Sequence, residues 1–346
     1  MPIIKISYIH PTWPLFRQTP GNSGRWGNCT FVLNKEVDEC DAWVVINDLK
    51  GSVERTKCPP GRTLLVNEEP PSMKEYPQKF LSQFALIATC GGYQWRHPGI
   101  REIFPLQAWY AGISQSDLHV PAKESSVRWT YDDFKRLEPP PKKKLLSIAY
   151  SDKQFTDGHR KRHEFVASLK EHFGDRLDIF GRGFNFVPDK WDAIANYRYH
   201  IVIENSSFPH YWTEKLADAY LGWSFPIYHG CPNLSEYFDP SSYALIDIAS
   251  PEQSIAHIER IINEERWERS LASLAESRRK ILDEYNLFPM VIKLLELPES
   301  PEPKESVTIQ SLGIAVGRIR TLLRKMRARL QFGLGITNVL RFLRKL

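Results

Sequence analysis

Between Glu204 and Lys215 the chain gathers Glu204, Asn205, Tyr211, Glu214 and Lys215 into one polar stretch. His200 to Ile203 before it is largely β-branched, the composition of a buried parallel strand. Thr213 stands where a helix N-cap belongs, before LADAYLGW, and Phe225 to Tyr228 returns to strand character. Polar groups between a strand's carboxyl end and a helix's amino end suit an anion, because free amides and the helix dipole both point there. Glu214 is favourable at a helix start in any protein. Lys215 is not, since a cation in the first turn opposes the dipole, and a residue that breaks a local rule argues for a ligand.

A second group with catalytic potential is Glu68-Glu69-Pro70-Pro71, directly after the buried segment TLLVN. Two carboxylates at a strand end, stiffened by prolines, could hold a general base. The plainer reading is a solvated loop with two surface acids. His10, His97 and His119 are rival bases in the same half of the chain.

The elements that must position these groups read as two α/β series. Ile3 to Ile9, Ala42 to Ile46, Thr63 to Val66 and Phe84 to Thr89 are strands, with a long Pro-, Gly-, Asn- and Trp-rich loop after the first. GNSGRWGN lacks the spacing of a dinucleotide fingerprint. KRLEPPPKKK, residues 135–144, reads as a solvated linker. A second series follows: LLSIAYS, a helix around HRKRHEFVASLKEHF, LDIFGRG, a helix near PDKWDAIANY, then the opening stretch, FPIYHG, NLSEYF and ALIDIAS. Helices over Ser254 to Glu264, Glu265 to Glu284 and onward to Leu297 complete it. The expected organisation is two doubly wound units, 1–140 and 141–297, facing across a cleft, then a linker and tail over 298–346.

The net charge of +5 belongs to that tail. From Ser311 onward there are nine Lys or Arg and no acid, leaving 37 basic against 41 acidic residues elsewhere. Ile319, Leu322, Leu323, Met326 and Leu330 fall on one helical stripe among arginines, and VLRFLRKL repeats the pattern. Residues 311–346 are therefore expected to lie on an anionic membrane surface. Packing on the protein's own acidic body or binding a calmodulin-like partner would give a similar pattern. Nucleic acid is not expected, because the aromatics lie outside the basic segment. Five scattered cysteines without CxxC suggest neither zinc nor a disulfide framework, and the first residues lack a leader's apolar core. The expected location is cytoplasmic, peripheral on the inner membrane face.

VIENS (Val202 to Ser206), YWTEK (Tyr211 to Lys215) and FPIYHG (Phe225 to Gly230), followed by Tyr237-Phe238-Asp239-Pro240, resemble the signature region of glycosyltransferase family 10. These are the α-1,3/4-fucosyltransferases that use GDP-fucose. SIAYS followed by Arg162, Phe165 and Leu169 resembles the family's strand and R-x-x-F-x-x-x-L helix. The resemblance runs from about Leu145 to Pro251; before that it rests on Glu69-Pro70-Pro71, where many members have Glu-Ser-Pro. It implies a GT-B fold of two Rossmann-like domains, acceptor first and donor second. It implies that Arg162 and Lys215 contact the diphosphate, that Glu214 contacts the ribose, and that Asn205 and Tyr211 complete the donor pocket. Glu69 would match the catalytic base, while Pro70 stands where the family's serine would be. Glu204 and Thr213 are expected to support these groups.

Transfer from a nucleotide diphosphate must stabilise a leaving group that gains charge. No Asp-x-Asp occurs in the sequence, so fixed cations and helix amides are expected to replace a metal. The expected reaction is inverting transfer of fucose from GDP-fucose to an oligosaccharide hydroxyl, α-1,3 on a surface glycan. The alternatives are another nucleotide sugar, or an inactive relative that only binds.

Overall fold

A computed structural model describes residues 1–51, 53–115, 122–150, 157–181 and 183–315, with backbone alone over 157–161. The first unit holds β1 (Ile3–Tyr8), β2 (Arg25–Trp26), β3 (Cys29–Leu33), β4 (Ala42–Ile46), β5 (Val53–Cys58), β6 (Thr63–Val66), β7 (Leu86–Thr89) and β8 (Ile100–Glu102). Helices α1 (Gln78–Leu81) and α2 (Tyr131–Arg136) accompany them. The second unit holds β9 (Lys144–Ala149), α3 (Asp157–Phe173), β10 (Leu177–Phe180), α4 (Lys190–Ile194), β11 (Tyr197–Ile203), α5 (Glu214–Leu221), β12 (Phe225–His229) and β13 (Ala244–Leu245). Then come α6 (Pro251–Asn263), α7 (Arg266–Arg269), α8 (Leu271–Asp283), α9 (Leu287–Leu295), β14 (Glu305–Gln310) and α10 (Leu312–Ala315).

The expected α/β class with two Rossmann-like sheets is borne out. The first sheet runs β2-β3-β1-β4-β6-β7-β8, parallel except for β2; the second runs β10-β9-β11-β12-β13, all parallel. Strand order reverses beside β1 and β4 in the first sheet and beside β9 and β11 in the second. Crevices for ligands open at such points because neighbouring connections leave to opposite faces. Ala42, Trp43, Val44, Val45 and Ile46 are all buried, as a strand covered on both faces requires.

Several segments depart from the sequence expectation. The long loop after β1 contains β2 and leads into β3, and its Arg17 is buried, donating to the carbonyls of Trp109 and, at 2.9 Å, Trp129. Strand β5 (VERTKC) carries too many polar residues to read as a strand, yet it pairs antiparallel with β14. Residues 297–306, read as a linker, run into that strand, and Ile309 is wholly buried against the first unit. KRLEPPPKKK is not simply solvated: Lys142 Nζ donates to the carbonyls of Ala195 (2.8 Å) and Gly222 (2.6 Å), where α4 and α5 end. NLSEYF forms a single 3-10 turn, and Glu265 to Glu284 forms two helices. The basic stripe beyond residue 315 lies outside the described residues, as does His119.

Candidate active site

Strand β11 delivers Glu204 and Asn205 to the carboxyl edge of the second sheet. Glu204 is buried and clasps the turn before α5: one carboxylate oxygen accepts from Thr213 N and the other from Thr213 Oγ1, both at 2.8 Å. Thr213 caps α5, its Oγ1 accepting from Lys215 N. Gly230 makes room for this clasp, since a Cβ there would lie 2.5 Å from Glu204 Cγ.

Lys215 Nζ lies 3.3 Å from Glu204 and 3.4 Å from Glu214. This corrects part of the sequence argument: Lys215 has a local partner that repays its place in the first turn, the buried Glu204 carboxylate. Burial alone would raise the Glu214 pKa, but Lys215, Lys190 and Thr213 outweigh it and hold the carboxyl at about 2. Lys190, at the start of α4, stands 3.3 Å from Glu214 and 3.7 Å from Asp218, with its ammonium 4.5 Å from the Tyr110 ring centre.

Arg162 reaches the same edge from α3. Its Nη1 donates to Asn205 Oδ1 at 3.0 Å and its guanidinium lies 5.1 Å from the Tyr150 ring centre. It is 7% exposed, and its Nε has no partner among the described residues. Burial lowers its pKa, opposed by Tyr150 and Glu204. A buried cation with an unfilled donor is ready to accept an anion, because a charge removed from water needs a partner. Tyr211 is buried, and burial together with Glu204, Glu69 and Glu214 raises its hydroxyl's pKa far above the ordinary value.

The first sheet presents Glu68 and Glu69 at the end of β6, and the two acids differ. Glu68 is buried in a reciprocal pair: Asn47 Nδ2 donates to Glu68 Oε2 at 2.5 Å, and Glu68 N donates to Asn47 Oδ1 at 3.0 Å. Burial, and then the neighbouring Glu69, push its carboxyl up to about 8. It clips the end of β4 to the end of β6, and its burial favours the neutral acid. Asn67 fixes the Glu69 backbone by donating to its carbonyl at 2.8 Å. The Glu69 carboxylate takes no hydrogen bond among the described residues. Burial raises its pKa, opposed by Lys74 and then Lys215, while Glu214 adds to the rise. Glu69 therefore lies within electrostatic reach of the edge that carries Lys215 and Glu214.

The two units meet around this space. Asp218 Oδ1 accepts from Tyr110 N (3.0 Å) and Ala111 N (2.9 Å), and Gly112 N donates to Asp189 at 2.9 Å. Gly91 N donates to the Pro209 carbonyl at 2.8 Å, and the Ser72 and Ser206 hydroxyls are 2.6 Å apart. Of the rival bases, His97 Nδ1 accepts from Gly99 N and organises its own loop, while His10 stacks edgewise on Tyr8 and lies near Lys74. Lys74, Lys190 and Asp218 were missed from sequence. Asp218 carried a usable signal, since it follows Glu214 by one helical turn and shares its face. Among the described residues no group of three metal-ligating side chains occurs, and no helix is long and apolar enough to cross a membrane.

Residues 139–270 match the model described as glycosyltransferase family 10 (fucosyltransferase) C-term. The alpha-(1,3)-fucosyltransferase FucT of Helicobacter pylori is 32% identical over 77 residues, 22% of this chain and 16% of that protein. The human 3-galactosyl-N-acetylglucosaminide 4-alpha-L-fucosyltransferase FUT3 is 23% identical over 248 residues, 66% of this chain and 60% of that one. The chain thus spans less than two thirds of the length of either relative. A solved alpha1,3-fucosyltransferase with GDP aligns at 16% identity and TM-score 0.46, covering 87% of this chain and 92% of that one. At that level it adds nothing to what the two sheets already show. The resemblance read from VIENS, YWTEK and FPIYHG is borne out: the stretch that builds this edge lies within the region that matches the glycosyltransferase family 10 (fucosyltransferase) C-terminal model.

Proposed function

We propose that this protein transfers fucose from GDP-fucose to a glycan hydroxyl, with inversion and without a metal ion. The observation that carries the reading is the meeting of two edges. Arg162, buried with an unfilled donor, and Lys215 stand on one, and the Glu69 carboxylate stands on the other within the electrostatic reach of Lys215. The donor's diphosphate would lie on Arg162, Lys215 and the amides opening α5, with its ribose on Glu214. The acceptor oxygen attacks the sugar's anomeric carbon from the face opposite the diphosphate, and the carbon–oxygen bond to phosphate breaks as the new bond forms. The acceptor's proton passes to Glu69, and the bonding electrons leave with GDP, whose added charge falls on Arg162 and Lys215. Glu69 suits the base better than Glu68, because Glu68 keeps its proton and is committed to Asn47. An α-1,3 linkage on a surface glycan follows the family resemblance. We propose further that the basic segment ending at Leu346 holds the protein on the cytoplasmic face of an anionic membrane.

Turnover assays with GDP-fucose, other GDP-sugars and UDP-sugars test this, with Glu69→Gln as the variant. GDP-fucose should be the productive donor, and the variant should lose roughly a hundredfold or more in kcat while still binding GDP. Full turnover by Glu69→Gln would exclude it as the base. Productive UDP-sugars with inert GDP-fucose would exclude the donor.

A further inference from the structure

We propose that the segment Gly183–Lys190 receives the base of the bound nucleotide, with Phe184 and Phe186 as its stacking platform. This rests on reading the second sheet's edge as a nucleotide diphosphate site. Few large apolar side chains stand exposed among the described residues, and two of them are Phe184 (39%) and Phe186 (46%), just past the carboxyl end of β10. They are not on a frayed loop. Gly181 N donates to the Asn185 carbonyl and Phe184 N to the Gly181 carbonyl, both at 3.0 Å, and Asn185 Nδ2 donates to the Ile179 carbonyl at 3.3 Å. Phe184, Asn185 and Phe186 all stand exposed on the segment so held.

The segment touches the donor edge at both ends. At its start Phe184 lies 5.5 Å from the Tyr150 ring, and Tyr150 carries the Arg162 guanidinium on its face. At its end Asp189 caps α4, and Lys190 reaches Glu214. A nucleotide with its diphosphate on Arg162 and its ribose on Glu214 therefore has this segment beside it. Two exposed rings are what a base can stack on, since every base offers a π-face.

Titration calorimetry with GDP and with inorganic pyrophosphate separates the parts. The Phe184→Ala/Phe186→Ala double variant should keep its melting temperature and pyrophosphate affinity while binding GDP roughly ten- to a hundredfold more weakly. Arg162→Ala should weaken both ligands. Phe186→Trp should retain GDP affinity, with the new indole's fluorescence quenched on binding. Wild-type GDP affinity in the double variant, alongside loss in Arg162→Ala, would overturn the platform and leave the diphosphate site standing. A wild-type protein that binds neither GDP nor pyrophosphate would overturn the nucleotide site and the platform together.

Discussion

Replacing Glu68 by Gln should stabilise the protein near neutral pH and do far less in mild acid. Burial moves this carboxyl from an ordinary 4.5 to about 8. Because the folded value lies above the unfolded one, stability is fully present below the unfolded pKa and is lost as pH rises toward the folded pKa. At 1.36 kcal/mol per unit, keeping the acid neutral costs ~3 kcal/mol at about pH 7 and ~1 kcal/mol at about pH 5. Glutamine copies the neutral acid's shape and can still accept from Asn47, so it escapes this cost. Urea unfolding of both proteins at the two pH values measures the difference directly. The stability gap should widen by ~2 kcal/mol from about pH 5 to about pH 7, with unchanged m-values. A gap that stays constant would refute the claim that Glu68 is held protonated in the fold.

Three further outcomes follow from the same geometry. The acid limb of the kcat/KM profile should lie above the ordinary carboxylate range, because burial raises the pKa of Glu69 and a base must be ionised; a profile flat through mild acid would contradict this. Gly230→Ala should displace Glu204 from Thr213 and lower GDP affinity about tenfold at a stability cost of ~1–3 kcal/mol, and a variant with wild-type GDP binding would show the clasp to be dispensable. Truncation after Ala315 should leave the fold intact and abolish liposome binding, whereas truncation after Lys304 should cost at least ~3 kcal/mol by stripping β14 and the buried Ile309 from the first unit. Equal liposome partitioning of full-length protein and the Ala315 truncation would exclude the tail as the anchor, and equal stability of the two truncations would exclude β14 from the core.

How much of this was legible depends on the range of the interaction concerned. The buried strands Ala42–Ile46 and Thr63–Val66 and the turn from Glu204 to Lys215 could be read directly. Apolar runs and a capped helix start are set by neighbours in the chain, and this polar cluster is compact because one strand, one turn and one helix supply it. Strand β5 could not be read: its alternating polar surface becomes a strand only when β14 returns from far along the chain to pair with it. Lys190 and Lys142 looked like ordinary charged positions, since their partners, Glu214 and the ends of α4 and α5, become neighbours only in the folded molecule.

The same division separates the two acids of the EEPP stretch. The residues alone placed two carboxylates at the end of a strand and could not tell them apart, because adjacent side chains share one composition and one propensity. Tertiary structure separated them by solvation. Asn47, at the end of a neighbouring strand, takes Glu68 into the protein interior, where the charged form is costly. Glu69 is left near Lys74, from the same loop, and Lys215, brought there by the opposite unit. Neighbours in the chain set the polar turn between β11 and α5, whereas the packing of the two units set which of the two carboxylates lies near Lys215.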